Sequence, residues 1–549
     1  MPTVSAHVAA ALSRHVDQVF GLMGNGNAYF LDALLRDTGA VYTAVRHEAG
    51  AVVAADAHFR VSGRIAAATT TYGAGFTNAL TALAESAQAR VPLVLVVGDQ
   101  PTPGPRPWDV DQIALASAVG VRTYTVGRPD AAATTVIAIE HALANRTPVV
   151  LALPYDTPAL EAGAVPELRE PRLPQPVRPS TDARAAVDRA ADALAAAARP
   201  VLIAGRGAWL AGAGDALGRL ADAAGAVTAT TALGRGVFPD EAHDLGVTGG
   251  FGAPGAMDLV RSADVVVAIG ASLSPFTMRF GELLDPTARL IQVDVAATAT
   301  HPRVGEYIRG DARLVADMLA DAVAARRPSL GGWRDEHDLA ALRRQDAGAE
   351  LAPDGRLDPR AAAALIGRLL PQDRVVVSDG GHFIGWANMF WDVASPGRMV
   401  MVGTAFQSIG LGWPSVAGAA QAAPDATIVL TTGDGGGLMA LADLETAIRA
   451  AGGRGLAVVW NDAAYGAEVN LYGLKGLHEA PMRIPQVDFA ALGRAAGAEG
   501  VVVERLSDLD RLATWAAEPP ADRPFLVLDL RVSGTVLAPY QHEVIRVNA

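Results

Sequence analysis

The chain of 549 residues has no cysteine, no run of basic residues and no long apolar stretch, and each absence removes a class of function. Without cysteine there is no disulfide framework, thiolate nucleophile or cysteine metal site, and a reducing compartment suits the composition. The formal charge of −13, from 58 acidic against 45 basic residues, leaves no electrostatic footprint for nucleic acid or anionic lipid. The longest apolar stretches, at 91–98 and 265–270, fall far short of the ~18–20 residues of a membrane helix. His7, Arg14, His15 and Asp17 interrupt the apolar core that a signal peptide needs, so the first residues read as a helix. The expectation is a cytoplasmic chain with no membrane or nucleic-acid partner.

Half of the residues are hydrophobic, and 57 glycines and 34 prolines are scattered without period, as in a globular protein. Short β-branched runs recur at 65–71, 92–97, 148–153, 200–204, 265–269, 290–293, 375–377, 427–430, 456–459 and 525–528. Alanine- and leucine-rich stretches at helical spacing lie between them, so the chain reads as repeated strand–helix units. This pattern predicts an α/β protein of three doubly wound domains with mainly parallel sheets. A proline-rich stretch at 154–179 and a charged, glycine-containing stretch at 326–358 divide it into units at 1–160, 185–330 and 357–549. The first and third units share the same texture.

The run Thr431-Thr432-Gly433-Asp434-Gly435-Gly436-Gly437 follows an apolar strand and precedes an apolar helix predicted over 438–450. Glycines there let backbone N–H groups approach a phosphate. An aspartate in such a turn repels a bare phosphate but suits a divalent cation lying between them, because Mg²⁺ takes oxygen ligands from one or two side chains, phosphates and water. The next strand ends at Asn461, where doubly wound sheets bind ligands. Gly433-Asp434-Gly435 by itself is also an ordinary turn, and Asn461 a turn former or helix cap. The pair, with 25 residues between Gly435 and Asn461, resembles the diphosphate motif of thiamine-diphosphate (ThDP) enzymes, in the acetolactate synthase and 2-oxoacid decarboxylase group. The resemblance implies ThDP and Mg²⁺ as cofactors, with Asp434, Asn461 and the carbonyl of Ala463 on the metal. It places Gly433, Gly435, Gly436, Tyr465 and Gly466 at the cofactor.

Near the N-terminus, Arg46-His47-Glu48-Ala49 sits at a strand-to-helix junction among small apolar residues. Burial there would raise the pKa of Glu48 toward neutrality, although acidity at a helix start is equally a local stabilising feature. Phe20-Gly21, Gly24, Arg46-His47-Glu48-Ala49 and Ala54-Ala55-Asp56-Ala57 resemble the N-terminal domain of the same family. There the glutamate bonds the aminopyrimidine ring and favours the imino tautomer that removes the thiazolium proton, so Glu48 is the expected activator. Thr71-Tyr72-Gly73-Ala74-Gly75 resembles the glycine turn of that domain, and Tyr72 joins the catalytic candidates. Gln407-Ser408-Ile409-Gly410 resembles the segment whose bulky residue, here Ile409, bends the cofactor. Asp379-Gly380-Gly381-His382 matches the region that reaches the diphosphate, so Gly381 and His382 are cofactor candidates and His382 a catalytic one.

The reaction implied is decarboxylation of a 2-oxoacid donor followed by ligation to an aldehyde or ketone acceptor. Glu468 lines up with the catalytic glutamate of pyruvate decarboxylases. Asn25 stands at that enzyme's other acid position, its paired histidines have no counterpart around Trp108, and Trp108 falls where acetolactate synthases carry glutamine. The alternatives are a non-ligating decarboxylase, an acyloin or 2-hydroxyacyl lyase, and a catalytically silent ThDP-binding protein. Acetolactate synthases bind FAD in the central domain, but the flavin-contacting stretch after Gly270 is not recognisable here, so FAD is not favoured. Because the glutamate and the metal ligands lie in different domains that meet across subunits in the family, a homodimer or homotetramer with interfacial sites is expected.

Overall fold

The computed structural model describes residues 1–326 and 332–548. Residues 327–331 of the expected break at 326–358, which include the expected end of the central unit at 330, and the last residue, 549, lie outside the described residues. Three six-stranded sheets form, and every strand pair in them is parallel. The first contains β1 (Gln18–Gly21), β2 (Val41–Ala44), β3 (Ala66–Thr70), β4 (Leu93–Asp99), β5 (Arg122–Thr125) and β6 (Pro148–Pro154), in the order 2-1-3-4-6-5. The central sheet contains β7 (Pro200–Ala204), β8 (Val227–Thr230), β9 (Asp244–Val247), β10 (Val265–Ile269), β11 (Arg289–Asp294) and β12 (Glu306–Arg309), in the order 12-11-10-7-8-9. The third contains β13 (Arg374–Ser378), β14 (Met399–Met401), β15 (Thr427–Gly433), β16 (Gly455–Trp460), β17 (Glu499–Val503) and β18 (Leu526–Leu530), in the order 14-13-15-16-18-17. Subtracting twelve from each strand of the third sheet reproduces the first, so these two domains share one topology.

The inner strands are buried along their whole length, as expected of parallel sheets covered on both faces. A single core runs between the first and third domains, through Phe20, Val52, Ala55, Leu83, Trp413, Val416, Ala420 and Leu430. Its seam is the crossing of helix Glu48–Ser62 with helix Gly412–Ala422. Small residues let the two backbones touch: a Cβ on Gly418 would lie 2.0 Å from the carbonyl oxygen of Ala54. Helix Glu48–Ser62 begins where Nδ1 of His47 accepts a bond from Ala49 N (3.2 Å) and stops at Gly63, whose φ of 70° is left-handed. Glu48 is therefore presented by the first turn of a helix whose flank is fixed on another domain.

One sequence expectation needs correction. The helix predicted over 438–450 is two helices, Asp434–Met439 and Leu444–Ala451, separated by a 3₁₀ turn at Leu441–Asp443. The break turns the buried Asp443 toward the first domain. There its Oδ1 accepts bonds from Arg46 N (2.8 Å) and Thr446 Oγ1 (2.8 Å). Strand β15 also runs on through Gly433, so the glycine run lies in the strand end and the short helix rather than in an open turn.

Candidate active site

At the carboxyl end of the third sheet, β15 delivers Asp434 and β16 delivers Asn461 side by side, Gly433 pairing with Trp460 in register. Both side chains are buried. Asp434 Oδ1 accepts from Gly435 N (2.9 Å), while its Oδ2 is buried and has no hydrogen-bond partner. Asn461 spends both amide hydrogens inward, on Val487 O (2.9 Å) and Asp529 Oδ1 (2.8 Å), and its Oδ1 is likewise buried without a partner. Two neighbouring residues that each bury an acceptor oxygen with no donor offer a pair of ligand atoms that would suit a cation. Burial, with the nearby charge of Asp462, pushes Asp434 up to about 7, so this carboxylate is held at a cost that a bound divalent ion would remove.

Ala463 follows in a left-handed conformation, φ 62°, unusual for a residue with a side chain. Its carbonyl accepts from Ile484 N (3.0 Å) and keeps a second lone pair. No group of three or more His, Cys, Asp or Glu side chains suited to a metal occurs among the described residues. The donor set here is one carboxylate, one amide and one carbonyl, and it suits Mg²⁺ only with phosphate oxygens and water completing the shell. The residues present thus fit a metal diphosphate.

The glycines make room for close packing around this set. A Cβ on Gly435 would lie 2.6 Å from the ring of Tyr465, and one on Gly436 would lie 2.7 Å from Asp379 Oδ2. Asp379, fully buried, accepts bonds from Gly380 N (2.7 Å), Gly410 N (3.0 Å), Leu411 N (3.2 Å) and Thr432 Oγ1 (3.0 Å). It staples the Ile409 segment to the ends of β13 and β15. The sequence reading passed over Asp379 as a member of the loop and took its neighbours. An acidic residue directly at a strand end, ahead of paired glycines, was the available signal. Ile409 itself is exposed, with Cγ2 3.1 Å from the position of a Cβ on Gly380.

His382 lies against Gly466, where a Cβ would come within 2.4 Å of its ring, and its Nε2 is 3.0 Å from Asp462 Oδ2. Burial opposes the charged imidazole, but Asp462, with Asp434 and Glu468 beyond it, outweighs burial and holds its pKa above the usual value. Gly381 precedes it at φ 143°. Glu468 sits exposed on the short helix Gly466–Glu468 at the rim. The structure thus brings Gly433, Asp434, Gly435, Gly436, Asn461, Ala463, Tyr465, Gly466, Gly381, His382 and Ile409 to one end of one sheet.

Glu48, Tyr72 and Asn25 gather at the carboxyl end of the first sheet. Glu48 is half-buried rather than enclosed in the single chain, and its Oε2 accepts from Asn78 Nδ2 (3.0 Å). A Cβ on Gly75 would lie 3.4 Å from its Oε1, so the glycine turn walls one side of the carboxyl group. Asn25 Nδ2 donates to the hydroxyls of Tyr72 (3.2 Å) and Tyr155 (3.4 Å). The Arg106 guanidinium stacks on both rings, 4.2 Å and 4.4 Å from their centroids, and is clamped by both oxygens of Asp109. Tyr155 and Arg106 were not foreseen, since nothing local in the sequence joins residues 25, 72, 106 and 155. Among the described residues no hydrogen bond joins the Glu48 group to the Asp434 group within the chain.

In the central sheet the order is that of a dinucleotide-binding fold, and its switch point lies between β7 and β10. There Gly205 N donates to Ile269 O (3.0 Å) and Gly207 N to Gly270 O (2.9 Å). A Cβ on Gly270 would lie 2.2 Å from Ala208 N. The two loops meet directly at the place where such sheets take a ligand.

A buried donor set that fits a metal diphosphate on one doubly wound domain, and a presented glutamate on a second domain of the same topology, point to a class of cofactor-dependent enzyme. Comparison with known families gives the class its name. Residues 2–115 match the thiamine pyrophosphate enzyme N-terminal TPP binding domain, residues 187–319 the central domain, and residues 379–528 the C-terminal TPP binding domain. The chain belongs to the thiamine pyrophosphate enzyme family, in its acetolactate synthase-like group. The sulfoacetaldehyde acetyltransferase of Alcaligenes xylosoxydans xylosoxydans is 28% identical over 93% of this chain and 89% of its own length. The acetolactate synthase isozyme 3 large subunit of Escherichia coli is 27% identical over 96% and 94%. A solved structure, the thiamine diphosphate-dependent 4-hydroxybenzoylformate decarboxylase of Rhodococcus jostii RHA1, has the same fold, with a TM-score of 0.77, 23% identity, and coverage of 97% of this chain and 99% of that one.

Proposed function

We propose that this enzyme is a ThDP- and Mg²⁺-dependent carboligase that takes a pyruvate-like 2-oxoacid donor and joins the fragment left after decarboxylation to an aldehyde or ketone acceptor. The observation that carries the cofactor reading is the pair of buried, unpartnered oxygens, Asp434 Oδ2 and Asn461 Oδ1. Carboligation rather than simple decarboxylation is supported by the name of one curated relative, an acetolactate synthase. When bound, ThDP supplies a nucleophilic ring carbon and an electron sink for loss of carbon dioxide.

The chain's own residues do the rest. Asp434, Asn461 and the Ala463 carbonyl would hold the metal diphosphate, with Gly433, Gly435, Gly436, Gly381, Tyr465 and Gly466 packed about it. Ile409 would support the cofactor from the segment that Asp379 fixes. Glu48, steadied at Oε2 by Asn78, would bond the cofactor's aminopyrimidine ring and hold a proton there. Tyr72 accepts from Asn25 and so keeps its own hydroxyl proton to offer to a substrate oxygen. His382, paired with Asp462, holds a proton on the third domain's side of the site, with Glu468 at the rim.

Each half-site is fringed by exposed apolar side chains: Met23, Trp108 and Ile113 on the first domain, Met439, Leu474 and Leu477 on the third. Two such patches suit mutual burial in a homodimer or homotetramer, where Glu48 of one copy meets Asp434 of another. The domain limits we adopt are 1–160, 185–330 and 357–549. No described helix is long and apolar enough to cross a membrane, and a cytoplasmic location is part of the same proposal. FAD is not favoured as a further cofactor.

A second reading, a non-ligating decarboxylase of an aromatic 2-oxoacid, is favoured by one feature. Tyr72 and Tyr155 meet edge to face at 5.9 Å beside the exposed Trp108, an aromatic wall next to Glu48. Product analysis with a panel of 2-oxoacids, each with and without an added aldehyde, separates the two. Carboligation gives a 2-hydroxyketone or acetolactate-type product that grows with acceptor; the second reading gives free aldehyde whatever is added.

A further inference from the structure

Asn461 is a metal ligand only if its amide is the right way round, because the same side chain rotated by half a turn would put an NH₂ group where the cation belongs. What decides the orientation lies on the far side of the residue, on β18. Asp529, with no exposed surface, turns one carboxylate oxygen to Asn461 Nδ2 at 2.8 Å. The second amide hydrogen goes to Val487 O at 2.9 Å. A carboxylate and a carbonyl are both acceptors only, so they admit the NH₂ end of Asn461 and reject its oxygen. The other oxygen of Asp529 is itself fixed, accepting from Phe489 N (2.9 Å) and from Arg531 Nη2 (2.7 Å). Arg531 is half-buried at the mouth of a cleft that also contains Arg356 and Gln486. The chain Arg531–Asp529–Asn461 therefore links a cleft lined by Arg531 to the unpartnered Oδ1.

We propose that Asp529 is a positioning residue for the metal: it locks the Asn461 amide with Oδ1 toward the cation, and Arg531 holds Asp529 in place. It touches neither metal nor cofactor. Partners of this kind around a ligand are worth tenfold to hundredfold in metal affinity. In the metal-free protein, the same lock leaves Oδ1 of Asn461 buried without a donor, a cost that is recovered when the metal binds.

The proposal rests on the reading of Asp434 and Asn461 as metal ligands, and one set of titrations tests both. Mn²⁺ is titrated in the presence of ThDP and followed by the loss of its free electron-paramagnetic-resonance signal, in the full-length protein and in folded variants checked by circular dichroism. Asp529→Asn keeps its oxygen toward the donors Phe489 N and Arg531, turns its NH₂ to the Asn461 amide and so breaks the pairing, and Mn²⁺ affinity falls tenfold to hundredfold. Arg531→Met removes the support behind Asp529 and lowers the affinity by a smaller factor. If the Asp529 variant does not fold, Arg531→Met is read alone, and a weakened Mn²⁺ affinity supports the pairing. Wild-type affinity in Asp529→Asn, or in Arg531→Met where the first variant does not fold, overturns the proposal. A wild type that binds no Mn²⁺ with ThDP overturns the underlying metal reading instead.

Discussion

Asp443 of the third domain accepts a hydrogen bond from the main-chain N–H of Arg46 at 2.8 Å, two residues before Glu48 on the first. A Cβ on Gly50 would lie 2.2 Å from Asp443 Oδ2, so carboxylate and turn fit without slack. The glutamate's position is thereby set by a domain that is distant in sequence. Asp443→Ala leaves the Arg46 N–H without its partner and costs about 1–3 kcal/mol of stability. Displacement of the turn lowers turnover by roughly tenfold to a hundredfold. Asp443→Asn keeps an acceptor and stays near wild type in both. Thermal melts and steady-state rates on the three proteins check this.

Glu48→Gln keeps the shape and the bond from Asn78 but removes the acid. ThDP affinity, measured by calorimetry, changes little, while turnover falls by about 10²-fold or more. Undiminished turnover would remove Glu48 from the role of activator.

The metal site gives effects of opposite sign with and without metal. With ThDP and Mg²⁺ at a hundred times their dissociation constant, the protein gains about 2.7 kcal/mol, and EDTA cancels the gain. Asp434→Asn abolishes this metal-dependent rise. It also relieves the metal-free protein of a buried carboxylate that faces Asp462, so the metal-free variant melts no lower than the metal-free wild type. Differential scanning calorimetry with and without the metal reads both signs.

His58, in the helix that starts at Glu48, has no exposed surface and an unpartnered Nε2, and burial pushes its pKa down to about 4. It is neutral in the folded protein above that value, whereas in the unfolded chain it takes a proton below about 6.5. Stability is thus unaffected by His58 above pH 6.5 and is lost as the pH falls from 6.5 toward 4. The loss is on the order of 2 kcal/mol at pH 5. His58→Leu removes this component, so the gap in melting temperature between pH 8 and pH 5 narrows relative to the wild type.

The buried strands and the placement of Asp434 beside Asn461 were legible because their signals are local. The inner strands β3, β4, β6, β7, β10, β11, β13, β15, β16 and β18 are built on short, mostly apolar runs, as a strand covered on both faces demands. The strands that escaped notice, β5, β9, β12, β14 and β17, are all sheet edges, short and partly polar, and β8 lies next to an edge. Asp434 and Asn461 could be read from spacing because each ends a strand. The Tyr72–Arg106–Tyr155 stack, the Asp379 staple and the Asp529 contact with Asn461 could not, since the segments they join lie 31 to 68 positions apart and meet only when neighbouring strands align. The helix predicted over 438–450 was misread because helical spacing continues across Leu441–Asp443 while a contact with another domain breaks the backbone.

The most direct test of the account is to incubate the purified protein with ThDP, Mg²⁺ and single 2-oxoacids, quench in acid and identify the cofactor species by mass spectrometry. The account predicts a covalent adduct between ThDP and a pyruvate-like oxoacid, absent when Mg²⁺ is chelated and greatly reduced in Glu48→Gln. ThDP retained by the wild type with no adduct from any 2-oxoacid would contradict the proposed donor chemistry.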